Sequence, residues 1–306
     1  MSVLPVSTKC SPIFGQPLFD SEVIRTMQIS QGHATALDTL FGVKIPLIGD
    51  IHLPPLPGTP RYRGESMTVI VDRALRDADA FVNGGMDGII LENHGDIPFL
   101  KPDQIGPEII AAMSAIAVRV TGSVGIPVGI NLLANAAIGS LAIAKASGAR
   151  FIRVNQWVNA YIANEGLVEG ESGRALRYRK LIEAEDVAIF ADVHVKHGSH
   201  AIVGDRPVSE QARDVEFYDA DVTIASGNRT GDAVPEEEIR SIRSGTRLPV
   251  IAGSGITLSN AASILPLLDG AIVGSSLKVD GVWWNSVEIE RVVNFVAAVK
   301  RLRERG

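Results

Sequence analysis

Eight short apolar runs, each followed by a helix-like stretch, constrain the fold of this chain more than any other feature. The runs lie at 45–52, 87–93, 126–131, 150–155, 187–195, 221–226, 249–254 and 270–275. The helix-like stretches lie at 67–84, 106–122, 135–148, 172–185, 208–219, 234–245, 257–267 and 286–304. Nearly continuous apolar strands that alternate with helices indicate a parallel sheet buried on both faces.

Eight such units predict a single α/β domain, a closed (β/α)8 TIM barrel over residues 45–306. An open, doubly wound sheet is the alternative, which the count of eight disfavours. A barrel needs roughly 250 residues, and a chain of 306 residues, 46% of them hydrophobic, can supply its core. We expect residues 1–44 to be an N-terminal extension with a helix that covers the bottom of the barrel.

Charge and cysteine content exclude several classes of protein. A formal net charge of -6 and a pI near 5.6 argue against a nucleic-acid partner. Cys10 is the single cysteine, and the first residues lack the basic flank and apolar run of a signal peptide. The uncharged stretch between Arg119 and Lys145 contains Pro127 and several glycines, which favours a buried strand and helix over a membrane span. We therefore expect a soluble, cytoplasmic protein, with a homo-oligomer as a further expectation.

Polar and ionisable side chains concentrate at the carboxyl ends of the predicted strands, where TIM-barrel enzymes have their active sites. Each of them alone could equally cap a loop or bond across the barrel, but burying so many without partners would be costly. The set therefore predicts a polar ligand at the barrel mouth. The candidate catalytic residues are His52, Glu92, Asp192, His194 and Lys196, and the candidate substrate-binding residues are Asp50, Asn93, Asn131, Arg153, Asn155, Ser226 and Arg229.

Two glycine–serine turns after the last two strands are the most specific signal. They are AGSGIT (252–257) and VGSS (273–276). Small residues let backbone amides approach an anion closely, and a helix opening at the first turn would add its positive dipole end. Turns in these two places predict a phosphate site. Its residues would be Gly253, Ser254, Gly255, Gly274 and Ser275, with Arg229 as a further anion contact.

Two D-x-H elements suggest a metal, although the sequence specifies no cofactor. They are Asp50-x-His52 and Asp192-x-His194. Their strands lie on opposite sides of an eight-stranded barrel, so that one ion could not reach both without a bridge from Glu92. A divalent metal bound by Asp192, His194 and Glu92 is the candidate.

These features favour an enzyme that acts on a small phosphorylated sugar or nucleoside-like ligand. Isomerisation, aldol-type cleavage and glycosidic bond cleavage all fit, and in the last Glu92 and Asp192 would flank the bond. Lys196 would act as an electrostatic clamp, with a Schiff-base nucleophile or a solvated loop residue as alternatives. The other hypothesis is a non-catalytic assembly factor, for which Trp283 and Trp284 offer an aromatic patch.

A string of motifs resembles the BtpA/SgcQ family from about residue 42 to the carboxyl terminus. The motifs are IGDIHLPPLPGTPRY (48–62), DGIILENHGDIPF (87–99), GARFIRVN (148–155), GLVEG (166–170), FADVHVKH (190–197), PVIAGSGIT (249–257) and DGAIVGSSLKVDG (269–281). The resemblance implies a phosphate-binding TIM barrel. The family name implies photosystem I biogenesis in cyanobacteria, a role that transfers poorly because similar proteins occur in non-photosynthetic organisms.

The chain also departs from the family pattern at the predicted mouth. Asp50 stands where a Met is usual, and Ala134 occupies a position often held by Arg. Residues 156–163 differ from the usual His-Thr-Gly-Ala stretch, and the turn after His197 lacks the usual Pro-Leu. These departures predict a subgroup with a different ligand.

Overall fold

The predicted (β/α)8 barrel is confirmed in a computed structural model, which describes residues 34–227, 229 and 231–304. In chain order the strands are β1 (Leu47–His52), β2 (Gly88–Glu92), β3 (Val128–Asn131), β4 (Phe151–Val154), β5 (Ala160–Ala163), β6 (Gly166–Glu169), β7 (Ala188–Asp192), β8 (Val222–Ala225), β9 (Val250–Ala252) and β10 (Gly270–Val273). Strands β5 and β6 form an antiparallel hairpin. The other eight are parallel and form the closed barrel, in which β10 pairs with β1.

Helix α1 (Ala36–Phe41) precedes β1. The remaining helices follow strands and cover the outside of the barrel: α2 (Met67–Gly84), α3 (Pro107–Thr121), α4 (Ala137–Ser147), α5 (Ser172–Leu181), α6 (Val208–Phe217), α7 (Glu236–Gly245), α8 (Ala261–Ile264) and α9 (Ile289–Arg303). Short 3-10 turns lie at Pro102–Gln104, Ala201–Val203, Leu265–Leu267, Ser275–Leu277 and Val279–Gly281.

Helix α2 shows how local sequence sets these elements. Ser66 caps its amino end by accepting a hydrogen bond from the Val69 amide, and Gly85 ends it in a left-handed conformation with φ 90°. Its buried residues recur at helical spacing and include Ala74 and Phe81. Phe81 packs directly over β1, where a Cβ on Gly49 would lie 2.6 Å from the ring. Glycine at this point in β1 is therefore needed for close packing of the helix.

The barrel interior is filled at its amino-terminal end by apolar side chains that alternate along the strands. Phe151 and Phe190 stack with ring centroids 4.6 Å apart, and a Cβ on Gly129 would lie only 2.1 Å from Phe151. Helix α1 closes this end, because Leu37 and Phe41 pack against the same cluster. This helix falls within the predicted extension 1–44, whose residues 1–33 lie outside the described part of the chain.

Two stretches differ from the expected elements. The predicted loop after β4 contains the β5–β6 hairpin, and the seventh predicted helix, at 257–267, is reduced to the single turn α8 and a 3-10 turn. Asn260 holds the chain ahead of α8 in a turn, since its side chain bonds the Gly255 carbonyl and the Thr257 amide. Pro266 then removes an amide donor from the continuation. In the part of the chain that the structure describes, no helix is long and apolar enough to cross a membrane.

Candidate functional site

Two cavities open at the carboxyl ends of the strands, and they share Glu92, His94 and Lys196 in their walls. The larger, of about 620 Å³, contains both glycine–serine turns and is called the cradle lobe. The smaller, of about 420 Å³, is called the aromatic lobe because Phe99, Tyr161 and Trp283 line it. The two lobes together form one mouth, as expected for an active site in this fold.

The cradle lobe brings together all five residues predicted to hold a phosphate. The Ser254 hydroxyl is buried and has no hydrogen-bond partner among the described residues. The backbone amides of Ser254, Gly255 and Ser275 likewise donate to no acceptor within the described ranges, whereas the Gly253 amide bonds the Ala225 carbonyl. These donors are therefore available to a ligand.

The glycines of the cradle leave no room for a side chain. Gly255 has φ 76°, and a Cβ there would lie 1.9 Å from the Asp232 carbonyl oxygen. A Cβ on Gly274 would lie 3.1 Å from the His52 ring. Because α8 begins only at Ala261, the expected helix dipole does not point at the first turn. Any anion binding here would depend on the turn amides and hydroxyls and on the charge of Lys196, which lines the same lobe.

A buried ion pair lies beneath the mouth. Arg153 Nε and Nη2 donate to the two Asp192 carboxylate oxygens at 2.9 and 3.1 Å, and Ser226 Oγ donates to Oδ1 at 2.5 Å. Burial lowers the pKa of Arg153, but the negative charges of Asp192, Glu92 and Asp50 outweigh this effect. The net result is a raised Arg153 pKa. Arg153 lines the aromatic lobe, whereas Asp192 lines neither cavity. Asp192 therefore orients Arg153 from below.

Glu92 is held in its ionised form at the boundary of the two lobes. Its carboxylate accepts from His94 Nδ1 at 2.5 Å and from Asn131 Nδ2 at 2.6 Å. Burial raises its pKa, but the hydrogen bond and charge of His94, with the charges of His52 and Arg153, lower it well below the usual range. A carboxylate in this state is an acceptor or a ligand and does not serve as a general acid.

His52 lies between the Trp283 carbonyl and the Asp50 carboxylate. Its Nδ1 lies 3.0 Å from the Trp283 carbonyl oxygen, and its Nε2 lies 3.1 Å from Asp50 Oδ2. Nδ1 must donate to the carbonyl, which sets the ring orientation and directs Nε2 at Asp50. The other carboxylate oxygen, Asp50 Oδ1, is buried and accepts no bond from the described residues.

Lys196 extends over the mouth from the loop after β7 and borders both lobes. Burial lowers its pKa, and the charge of Arg153 adds to this effect, although the carboxylates of Glu92, Asp192 and Asp50 oppose it. An ammonium group in this position can stabilise negative charge that develops on a ligand.

Several predicted site residues lie apart from the mouth. The strand alternation expected to align Asp192 with His194 stops because β7 ends at Asp192. His194 packs instead against His200, with ring centroids 3.8 Å apart, and its Nδ1 lies 3.6 Å from Glu238 Oε1. The structure therefore does not assemble the predicted metal ligands Asp192, His194 and Glu92.

Three further predicted ligand contacts have different surroundings. Asn93 accepts from the Leu133 amide at 2.7 Å and donates to Asp96, so that it holds the neighbouring loops. Arg229 is exposed and borders neither cavity. Asn155 lines the aromatic lobe, and its Oδ1 has no partner within the described part of the chain.

His94, Phe99 and Tyr161 were not predicted as site residues, and Trp283 was expected only in an aromatic patch. His94 packs against Trp283 and Phe99, with ring centroids at 4.5 and 6.1 Å. Tyr161 comes from the hairpin that was expected to be loop. The position of His94 two residues after Glu92, directly after a strand end, was the available signal.

The chain is similar to proteins of one family over almost all of its described length. The family model described as "BtpA family" matches residues 43–301. A protein of Archaeoglobus fulgidus is 42% identical over 83% of this chain and 98% of its own length. The Photosystem I biogenesis protein BtpA of Synechocystis is 39% identical over 85% of this chain and 89% of its own length. Among solved structures, tryptophan synthase from M. tuberculosis shares the fold with a TM-score of 0.56 at 16% identity, covering 87% of this chain and 100% of that chain.

Proposed function

The chain belongs to the BtpA family, and from this premise we propose that it is an enzyme acting on a small phosphorylated ligand. A sugar phosphate or a nucleoside-like phosphate would place its phosphate in the cradle lobe. The observation that supports this most is the buried Ser254 hydroxyl, which, like the neighbouring turn amides, has no hydrogen-bond partner among the residues that the structure describes. These donors share a cavity with Asp50 and Lys196, so that a ligand held by its phosphate would meet ionisable groups.

The proposed phosphate site would rely on turn donors, because Arg291, on the wall of the cradle lobe, is already paired with Glu288. Turn amides and hydroxyls are pre-oriented donors, and hydrogen bonds to an ionised acceptor are roughly twice as strong as neutral ones. Lys196, on the wall of the same lobe, supplies positive charge. Leaving the Ser254 hydroxyl buried without a partner is unfavourable. A phosphate oxygen would satisfy it.

The proposed chemistry is isomerisation or aldol-type cleavage at a carbonyl next to the phosphate-bearing end. In cleavage, Asp50 Oδ1 would accept the proton of a ligand hydroxyl, which becomes a carbonyl as the carbon–carbon bond breaks. The electron pair of that bond would form an enolate with charge on the other carbonyl oxygen, and the proton held by Asp50 would then return to the enolate carbon. In isomerisation, the same oxygen would remove the proton next to the carbonyl, enolate charge would develop on the carbonyl oxygen, and the proton would return to the former carbonyl carbon. Lys196 would stabilise that charge in both reactions.

Glycosidic cleavage has less support from the geometry. It would require a protonated carboxylic acid and a second carboxylate on either side of the bond. Glu92 is held ionised by His94 and Asn131. Asp192 is bonded to Arg153 and Ser226 below the cavity wall. Neither carboxyl group is placed to protonate a leaving group.

A non-catalytic assembly role is the second candidate, since a relative carries the name of a photosystem I biogenesis protein. Of the two tryptophans expected to form a surface patch, Trp283 packs inward against His94, and Trp284 is 59% exposed. One exposed ring is less than the patch that such a partner surface needs. The ionisable groups around the cradle favour the enzyme.

Ligand binding to a Ser254→Ala variant tests the proposal. The expected loss is one hydrogen bond to a charged group, about 1.5–3 kcal/mol, or a roughly 10- to 150-fold weaker Kd. Calorimetric titration with ribose 5-phosphate and other sugar phosphates, each paired with its unphosphorylated sugar, measures it. The matched control is Ser263→Ala, whose hydroxyl bonds the Asn260 carbonyl outside both cavities.

The comparison between paired ligands decides the outcome. Phosphorylated ligands should bind more tightly than their unphosphorylated partners, and Ser254→Ala should reduce that difference by the loss of one hydrogen bond while Ser263→Ala keeps it. Equal weakening of both ligand classes by Ser254→Ala would contradict a phosphate role for the cradle. A wild-type protein that binds no member of a broad phosphate panel would favour the assembly role.

A further inference from the structure

We propose that His52, Glu92 and His94 bind a divalent transition-metal ion at the boundary of the two lobes. One candidate ligand atom from each side chain lies within 4.8 Å of those of the other two. Tetrahedral zinc would hold such atoms roughly 3.3 Å apart, so modest closure of three side chains around an ion completes the arrangement. All three line the cradle lobe, and an ion bound there faces the ligand space.

The surroundings already orient the three ligands. The Trp283 carbonyl accepts from His52 Nδ1 at 3.0 Å, which directs the opposite nitrogen, Nε2, inward. Asn131 Nδ2 donates to one carboxylate oxygen of Glu92 at 2.6 Å, and the other oxygen faces His94. Outer hydrogen bonds of this kind fix the tautomer and direction of metal-binding side chains. The His94 ring is held by its edge contacts with Trp283 and Phe99.

Charge and an unsatisfied atom at the same place provide a second line of support. Asp50 is 5% exposed, lines the same cavity and has an oxygen, Oδ1, without a partner among the described residues. Its other oxygen lies 3.1 Å from His52 Nε2. The Asp50 and Glu92 carboxylates balance the charge of a divalent cation, because Arg153 is already paired with Asp192.

The donor set identifies the class of metal. Two imidazole nitrogens and one carboxylate suit Zn²⁺, Mn²⁺ or Fe²⁺, whereas Mg²⁺ and Ca²⁺ prefer oxygen ligands. Three protein ligands leave coordination positions open to water or substrate, as in catalytic sites. A bound ion would act as a Lewis acid on an oxygen of a ligand in the mouth. The metal site is independent of the phosphate proposal, since metal binding is measured without any phosphorylated ligand.

Titration of the metal-stripped full-length protein with Zn²⁺ tests the site, and Co²⁺ absorption reports the coordination. We expect one Zn²⁺ per chain, visible Co²⁺ bands typical of nitrogen and oxygen ligands, and no comparable binding of Mg²⁺. His94→Phe keeps an aromatic ring against Trp283 and removes one ligand. Glu92→Gln removes the carboxylate at nearly constant shape. Each should weaken Zn²⁺ binding at least 100-fold, with circular dichroism confirming the fold.

His194→Gln is the matched control, because it also removes an imidazole but lies beside His200 and Glu238, away from the mouth. It should leave Zn²⁺ affinity within threefold of wild type. The proposal is overturned if wild type binds no stoichiometric Zn²⁺, if His94→Phe and Glu92→Gln bind it as wild type does, or if His194→Gln loses it. Zinc binding that persists when sugar phosphates fail to bind would leave this site intact and contradict the phosphate cradle alone.

Discussion

The buried Arg153–Asp192 pair allows a sharp prediction about stability. Asp192→Leu leaves the Arg153 guanidinium at 2% side-chain exposure without its carboxylate. Removing one partner of such a pair destabilises by about 3–5 kcal/mol, because the buried guanidinium loses its bidentate carboxylate and keeps only the more distant charges of Glu92 and Asp50. In a chain of this size each kcal/mol lowers Tm by about 2 °C. We therefore expect Asp192→Leu to melt roughly 6–10 °C below wild type.

A double-mutant cycle isolates the pair. Arg153→Met together with Asp192→Leu removes both charges and fills the space with apolar groups, a replacement that is often close to neutral. The double variant should be more stable than Asp192→Leu, with a coupling energy above about 2 kcal/mol by urea unfolding. Glu236→Ala is the control, since its ion pair with Arg240 is largely exposed and worth less than about 1 kcal/mol. If the stability losses of the two single variants add in the double variant, Arg153 and Asp192 do not stabilise each other as proposed.

Two further predictions concern the barrel interior and pH. Gly129→Ala should lower the free energy of unfolding in urea by about 1–3 kcal/mol, because the new Cβ would overlap the Phe151 ring. Adding Phe151→Leu should recover part of this loss. An unchanged unfolding midpoint for Gly129→Ala would contradict this packing. Burial lowers the Lys278 pKa from 10.5, although Asp77, Asp50 and Glu92 oppose this and Arg73 adds to it. Lys278 therefore keeps its proton to a higher pH in the unfolded chain than in the folded protein. The free energy of unfolding of wild type, relative to that of Lys278→Met, should rise from pH 7.5 to pH 10. A free-energy difference that does not change over this range would disprove the prediction.

The fold could be predicted from the sequence because its strands are apolar and evenly separated. Alternation along a strand also placed Asp50 with His52 and Arg153 with Asn155, and each pair meets the mouth in the structure. The same rule failed at His194, since a strand's last residue is set by its neighbours' register and is not visible in a local pattern.

Other features depend on contacts that are distant in the chain. The hairpin strands are four residues long and half exposed, so that Tyr161 gave no clear periodic signal. His94 reaches Trp283 across 189 positions of sequence, and only the closed barrel brings them together. The truncated helix α8 reflects a side-chain bond from Asn260 to Gly255 that competes with helix formation. The cytoplasmic location and the homo-oligomer stay predictions.

The sealed amino-terminal end has a kinetic consequence. Leu37 and Phe41 of α1, with Phe151 and Phe190 above them, fill the barrel axis in the described part of the chain. If the cradle holds the substrate of an enzyme, as we propose, reactant and product would pass through one opening in turn. A product that keeps the phosphate group should inhibit competitively with the substrate. We expect product release through this opening to limit turnover.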